Sequence, residues 1–104
     1  MAPVQEVDIA TFAPAWESGA PVLDVREDHE FVQAHVPGAQ WIPLADLPAR
    51  VAEVPSDATV YVICASGNRS KRGAEILEES GRRAVSVAGG TKGWIRAGHP
   101  AESG

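Results

Sequence analysis

Short apolar runs rich in β-branched residues alternate with helical sequence along this chain, and this alternation limits its possible folds more than any other feature. Residues 22–25 and 59–63 are the clearest runs, and residues 41–42 and 84–87 are shorter ones. Apolar runs of this length are typical of strands buried on both faces. Because helical sequence follows them, we predict a mainly parallel sheet with helices on both faces and right-handed crossovers.

Capping and turn residues predict five helices between the strands. They start at Thr11, at Asp28, after a cap at Asp46, at Ser70 and at Thr91. A first helix that starts at Thr11 keeps Pro14 within its first turn, whereas a start at Asp8 would place Pro14 in the helix interior. We therefore predict the later start. The helix that opens at Ser70 carries a small apolar stripe and ends before Gly81.

The length of the chain suits one domain. A chain of 104 residues is about enough for one α/β core and too short for two, so residues 1–104 are expected to form a single domain. The first residues lack the basic start and apolar stretch of a secretion signal, and no apolar run approaches membrane-spanning length. The single cysteine cannot form an internal disulfide. Together these features predict a cytoplasmic protein without a membrane contact.

The single cysteine, Cys64, directly follows the most apolar predicted strand. Functional sites of parallel sheets lie beyond the carboxyl ends of their strands, so this position favours chemistry. The segment after it is rich in small and turn-forming residues, namely Ala65, Ser66, Gly67, Asn68, Arg69 and Ser70. Successive backbone N–H groups of such a segment can surround an anion above the sulfur. A lone cysteine without this context would be interpreted as a small buried apolar residue.

The anion nearest to these N–H groups is the thiolate of Cys64 itself. Loop amides, the positive end of the following helix and the charged Arg69 would all lower the pKa of the thiol. Charge is also uneven along the chain: residues 1–63 hold ten acids and two bases, whereas residues 64–104 hold four acids and seven bases. The sequence therefore predicts a positive field around Cys64 and a standing nucleophile that needs no separate base.

Three ordered motifs carry a family resemblance. The pattern Cys64-x-x-Gly67-x-Arg69-Ser70 resembles the active-site loop of single-domain rhodaneses. Residues 22–27 with 35–39 resemble the family's N-terminal motif, and residues 87–90 with Trp94 and residues 98–100 resemble its C-terminal motif. The resemblance spans nearly the whole chain. It implies a three-layer α/β/α domain with a mainly parallel sheet of about five strands.

The same resemblance implies the activity of a thiosulfate sulfurtransferase. Cys64 would take a sulfur atom from a donor such as thiosulfate, hold it as a persulfide, and pass it to a thiophilic acceptor without a cofactor. Residues 65–70 would bind the substrate, with Arg69 seating the anionic donor. Two residues depart from the family pattern: Ala34 replaces a common glycine, and Ala65 leaves an often basic position uncharged. Donor binding would then depend more on Arg69 and on Lys71 or Arg72.

Other polar and aromatic residues are assigned to the scaffold. Asp24 and Arg26 resemble family positions with structural roles, and charged pairs near strand ends are usually structural. None of the three histidines, His29, His35 and His99, has a metal-ligand spacing, so we predict no metal site and a turn-stabilising role for His35. Three tryptophans, Trp16, Trp41 and Trp94, suit core or rim packing, and without a basic stripe we predict no nucleic-acid partner.

Two alternative functions remain at this point. Phosphatases and arsenate reductases also use a cysteine in an amide-lined loop that ends in arginine, but their loops resemble Cys-x5-Arg, whereas four residues separate Cys64 from Arg69. The shorter loop suits one sulfur atom better than a tetrahedral oxyanion. The second alternative is a persulfide relay or binding module whose sulfur donor or acceptor is another protein, with little turnover of small molecules.

Overall fold

The sheet has five parallel strands. The structure is a computed structural model that describes residues 4–104. The strands are β1 (Glu6–Val7), β2 (Val22–Asp24), β3 (Gln40–Trp41), β4 (Val60–Ile63) and β5 (Ala84–Val87). Their order across the sheet is β1-β5-β4-β2-β3, and every neighbouring pair is parallel. The predicted fold is confirmed, and four strands lie within one residue of their predicted ends. The sequence did not locate β1.

Helices cover both faces of this sheet. They are α1 (Ile9–Glu17), α2 (Asp28–Gln33), α3 (Leu47–Arg50), α4 (Asn68–Glu79) and α5 (Gly90–Arg96), and short 3-10 turns flank α3. One buried cluster joins α3 and α4 to the sheet, and a second joins α1 and α5 to its other face. Strand β4 contributes side chains to both clusters, since Val62 belongs to the first and Ile63 to the second. This is the two-sided burial that its apolar sequence predicts.

The predicted start of the first helix is wrong. Helix α1 begins at Ile9, and Asp8 is its N-cap, with a side-chain oxygen that accepts a hydrogen bond from the Thr11 amide at 2.8 Å. Pro14 therefore lies inside the helix, where its missing N–H removes one backbone hydrogen bond. Packing offsets this cost, because Phe12 is fully buried with its ring centroid 5.2 Å from that of Trp94.

Two other predicted starts are also wrong: that of α4 by two residues, and that of α5 by one, since α5 begins at Gly90 and not at Thr91. Helix α4 begins at Asn68, two residues before the predicted Ser70, because Gly67 adopts a φ of 114° and forms the N-cap. The loop after Cys64 is therefore shorter than predicted. Asp46 does stand at the N-cap of α3, but its side chain makes no capping hydrogen bond. Among residues 4–104, no helix has both the length and the apolarity that crossing a membrane requires.

Candidate active site

Cys64 lies at the carboxyl edge of the sheet, directly after the last residue of the central strand β4. It is 1% exposed and belongs to the buried cluster on the α4 side of the sheet. The neighbouring strands end at the same edge, β2 at Asp24 and β5 at Val87. The segments that follow three adjacent strands therefore begin at the edge where Cys64 lies, as expected for a site of a parallel sheet.

Two groups, one from the loop and one from the first turn of α4, contact the sulfur atom. The Gly67 amide donates a hydrogen bond to Sγ over 3.1 Å, and the Ser70 hydroxyl lies 3.4 Å from Sγ. Burial, the largest single effect, raises the pKa of the Cys64 thiol. The Ser70 hydroxyl and the amides of Ser70, Gly67 and Ser66 lower it, and the net result is a pKa below the ordinary value of 9.0. The loop thus favours a thiolate through dipoles and hydrogen bonds.

The remaining residues of the predicted loop do not contact the sulfur through their side chains and lie in different environments. Ala65 lines a pocket beside the loop, while Ser66 and Asn68 are exposed. Arg69 donates two hydrogen bonds to Glu30 of α2, over 2.7 and 2.8 Å. This pair raises the pKa of Arg69 and lowers that of Glu30 to about 2, chiefly through the hydrogen bonds themselves. The guanidinium is therefore already paired, a contact that sequence reasoning missed.

The first turn of α5 is hydrogen-bonded to the cysteine loop. The Thr91 amide donates to the Cys64 carbonyl over 2.8 Å, and the Lys92 amide donates to the Ala65 carbonyl over 3.1 Å. The turn approaches the loop so closely that a Cβ atom on Gly90 would lie 2.5 Å from the Cys64 carbonyl oxygen. Gly90 also has a φ of 58°. Two different sequence segments therefore fix the position of the backbone next to the sulfur.

Two pockets flank the loop. The first has a volume of about 300 Å³ and is lined by Arg26, Glu30, Gln33, Ala34, Ala65, Thr91, Lys92 and Ile95. The second, of about 290 Å³, is lined by Val25, Glu27, Leu44, Ala45 and Arg69. Since Glu30 lines one pocket and Arg69 the other, their ion pair lies between the two. Each pocket is large enough to hold a small anion beside the loop.

Most cations near the loop are already paired. Lys71 lies 3.5 Å from Glu6, and Arg72 lies 3.3 Å from Glu75, so the two bases considered from the sequence face other acids. Lys92 is exposed and has no ion-pair partner among residues 4–104. Its place beside Ala65 makes it the available cation of the first pocket.

Asp24 and Arg26 form a buried pair at the end of β2. Arg26 Nη2 donates to Asp24 Oδ2 over 2.8 Å and to the Ala34 carbonyl over 2.7 Å. This arrangement ties the end of α2 to the sheet, which confirms the structural interpretation of the pair. Ala34 itself has a φ of −166°, an extended backbone that any residue adopts, so the alanine needs no adjustment there.

The histidines and tryptophans of the sequence also have structural contacts. His35 Nδ1 donates to the Phe31 carbonyl over 2.8 Å, so its side chain holds the end of α2 rather than the turn that follows it. His99 stacks on Trp94. All three indole N–H groups donate to backbone carbonyls: those of Trp16, Trp41 and Trp94 to Pro37, Arg26 and Pro100. Packing of the tryptophans in the core and at its rim is thereby confirmed.

Comparison with known proteins gives a consistent family. The sequence profile described as Rhodanese-like domain matches residues 12–97. A protein of Allochromatium vinosum named Sulfurtransferase is 32% identical over 100 residues, covering 93% of this chain and 94% of the relative. Escherichia coli PspE, named Thiosulfate sulfurtransferase, is 42% identical over 72 residues, covering 67% of this chain and 69% of the relative.

Solved structures agree with these relatives. The crystal structure of a rhodanese-related protein from Thermoplasma volcanium superposes with a TM-score of 0.87 at 32% identity, covering 93% of this chain and 96% of that one. Some curated relatives are longer: the chain spans 40% of the length of Bacillus subtilis YrkF and 60% of that of YqhL. The resemblance carried by the three sequence motifs is confirmed, and the chain belongs to the Rhodanese-like domain family, which includes named sulfurtransferases.

Proposed function

We propose that this protein is a sulfurtransferase that moves a sulfane sulfur from thiosulfate, or a similar anionic donor, to a thiophilic acceptor through a persulfide on Cys64. The observation that carries the proposal is the environment of Sγ: a backbone amide at 3.1 Å and a hydroxyl at 3.4 Å, at the carboxyl end of the central strand. These donors lower the pKa of the thiol, so a nucleophile is present without a general base.

The proposed reaction has two displacement steps. In the first, the Cys64 thiolate attacks the sulfane sulfur of thiosulfate, a new S–S bond forms, and sulfite leaves with the electron pair of the broken S–S bond. In the second, the acceptor attacks the terminal sulfur of the persulfide, and the bonding pair returns to Sγ. Loop amides that stabilise the thiolate can also stabilise negative charge on the terminal sulfur.

The first pocket is the proposed seat of the donor's oxyanion. It adjoins the loop at Ala65, and Lys92 supplies a cation that has no ion-pair partner among the described residues. Arg69, to which the sequence assigned this role, is held by two hydrogen bonds from its guanidinium to Glu30. In this proposal Arg69 does not bind the donor directly; its ion pair with Glu30 forms part of the wall between the two pockets. The paired guanidinium also argues against phosphatase chemistry, which would need it free to bind an oxyanion.

A persulfide relay that serves a partner protein is the second candidate. The chain spans only 40% of the length of its relative YrkF, so domains of this kind also occur within longer chains. The loaded cysteine would be the same, and only the donor or acceptor would differ. The proposal places the protein in the cytoplasm, where reductants keep a lone thiol such as Cys64 free.

Substitution of the cysteine tests the proposal. Cys64→Ser should fold like the wild type, since the two side chains are similar in size, but it should take up no sulfur from thiosulfate and produce no thiocyanate from cyanide. Intact-protein mass, which reports the gain of one sulfur atom, and the thiocyanate assay measure the two steps separately. Sulfur transfer by a folded Cys64→Ser protein would refute the mechanism. Faster loading from a persulfidated donor protein than from thiosulfate would favour the relay.

A further inference from the structure

Two buried hydroxyl groups form a row beneath the sulfur. Ser70 Oγ lies 3.4 Å from Cys64 Sγ and 2.7 Å from Ser86 Oγ, and both serines have no solvent exposure. Ser86 belongs to β5 and is in register with Val62 of β4, two residues before Cys64, so it faces the same side of the sheet as the sulfur. Among residues 4–104, neither hydroxyl has a side-chain or backbone partner outside this row.

The number of protons in the row depends on the state of the sulfur. The three heavy atoms form two consecutive hydrogen-bonded contacts, one between Sγ and Ser70 Oγ and one between Ser70 Oγ and Ser86 Oγ. When Cys64 is a thiolate, the two hydroxyl protons occupy these two contacts: Ser86 donates to Ser70, and Ser70 donates to Sγ. When Cys64 is a thiol, a third proton enters the row, and one proton has no acceptor. A buried donor without an acceptor is unfavourable.

We propose that Ser86 is a positioning residue that directs the Ser70 hydroxyl toward Sγ and thereby holds Cys64 as an anion. Ser86 does not touch the sulfur and acts only through Ser70. The same direction of donation suits the inner sulfur of a persulfide, which also carries no proton, so the row need not reverse during turnover. This inference rests on the proposed function only in taking Cys64 as the reacting group.

The charged groups around the sulfur are not part of this row. Arg69 of α4 is paired with Glu30 of α2, the Asp24–Arg26 pair lies at the end of β2, and Lys92 lies on α5. Strand β5 contributes no charged residue. Variants at Ser86 leave all of these charges in place. A change in the ionisation of Cys64 in such variants therefore reports on the hydrogen-bonded row.

The test measures the thiolate directly. Cys64 is the only cysteine, so the ultraviolet absorbance of the thiolate as a function of pH reports on this group alone. In Ser86→Ala, the midpoint of this titration should rise, and the thiolate fraction at a fixed pH below the midpoint should fall about threefold, because a cooperative hydrogen bond is weakened. Ser70→Ala should lower it further, by about tenfold, because a direct donor to a charged group is lost.

Three comparisons make the result specific. Ser86→Ala should change nothing further in a Ser70→Ala background, because Ser86 acts through Ser70. Thr91→Val removes another buried hydroxyl, one without a hydrogen-bond partner among residues 4–104, and should leave the titration of Cys64 unchanged. Ser86→Thr, which keeps the hydroxyl, should titrate at lower pH than Ser86→Val, which has the same shape without it.

Two results would overturn the proposal. One is a Ser86→Ala titration that superimposes on that of the wild type, and the other is an additive effect in the double variant. If the alanine variant does not fold, the threonine and valine pair decides, since equal titrations of these two exclude a role for the hydroxyl. Because no sulfur donor is added, the outcome does not depend on sulfur transfer. Failure of the Cys64→Ser test and failure of this one are therefore distinguishable.

Discussion

Substitution of Gly90 by alanine tests how tightly the first turn of α5 holds the cysteine loop. A Cβ atom at this position would lie 2.5 Å from the Cys64 carbonyl oxygen and 2.6 Å from the Ala65 carbonyl group. Ordinary van der Waals contacts of a Cβ atom begin near 3.4 Å. Because both partners are backbone, no side chain can turn away, and the two segments must separate by about 1 Å.

The cost of this substitution has two parts. Gly90 has a φ of 58°, and a left-handed conformation costs a non-glycine residue about 1–2 kcal/mol. The backbone clash adds about 1–3 kcal/mol, the usual range for overpacking a tight site. Gly81→Ala is a matched control, because Gly81 has a φ of 89° and nothing within 4 Å of the added Cβ. That variant should carry only the conformational cost.

Thermal unfolding and sulfur transfer measure the two consequences. The Tm of Gly90→Ala should lie about 10 °C below that of Gly81→Ala, since 1 kcal/mol corresponds to about 4–8 °C in a domain of this size. At a temperature where both variants are folded, sulfur transfer by Gly90→Ala should be about a hundredfold slower, because a displacement of 1 Å misplaces the reacting group. Equal Tm values, or full activity in Gly90→Ala, would refute the argument that this turn positions Cys64.

Two other substitutions test the charges around the loop. Glu30→Gln should lower the free energy of unfolding by about 1 kcal/mol at neutral pH. The hydrogen bonds from Arg69 lower the pKa of Glu30 from 4.5 to about 2, so this difference in unfolding free energy should be complete above pH 4.5 and disappear as the pH falls toward 2. Urea titrations at several pH values measure it, and a difference that survives at pH 2 would contradict the pairing. Lys92→Gln should raise the KM for thiosulfate about fivefold with little change in kcat. Arg96 lies on the same helix but lines neither pocket, so Arg96→Gln is the control and should leave the KM unchanged. Unchanged donor kinetics in Lys92→Gln would remove this residue from the donor site.

The fold was predictable because its main signals are local. Buried strands of four residues, such as β4 and β5, appear as apolar runs, and a glycine such as Gly81 marks the end of a helix. The errors arose where tertiary contacts overrode local preference. Helix α1 tolerates Pro14 in its interior because Phe12 packs against Trp94, which lies far along the chain. The edge strand β1 has two residues, too few for a period to be recognised.

In the candidate site, the contacts within the cysteine loop were predictable from the sequence, but the contacts between the loop and distant segments were not. Cys64 and Gly67 lie within one short segment, so their contact follows from the loop itself. Glu30 and Arg69 are 39 residues apart, and no local pattern pairs them. Ser86 left a weaker signal, as a hydroxyl residue within an otherwise apolar strand. Its importance depends on the order of strands in the sheet, which places β5 beside β4.

The way in which the site stabilises an anion also differs from the prediction based on charge. The bases after Cys64 predicted a positive field, yet Arg69, Lys71 and Arg72 all face acids. The groups that lower the pKa of Cys64 are instead a hydroxyl and backbone amides, the nearest amide 3.1 Å from the sulfur. Salt screens the interactions of exposed charges but has little effect on buried hydrogen bonds at this distance. Preorganised dipoles can stabilise the thiolate, and the persulfide that we propose, without a strong positive field that would attract other anions; in this proposal the pockets beside the loop select the donor.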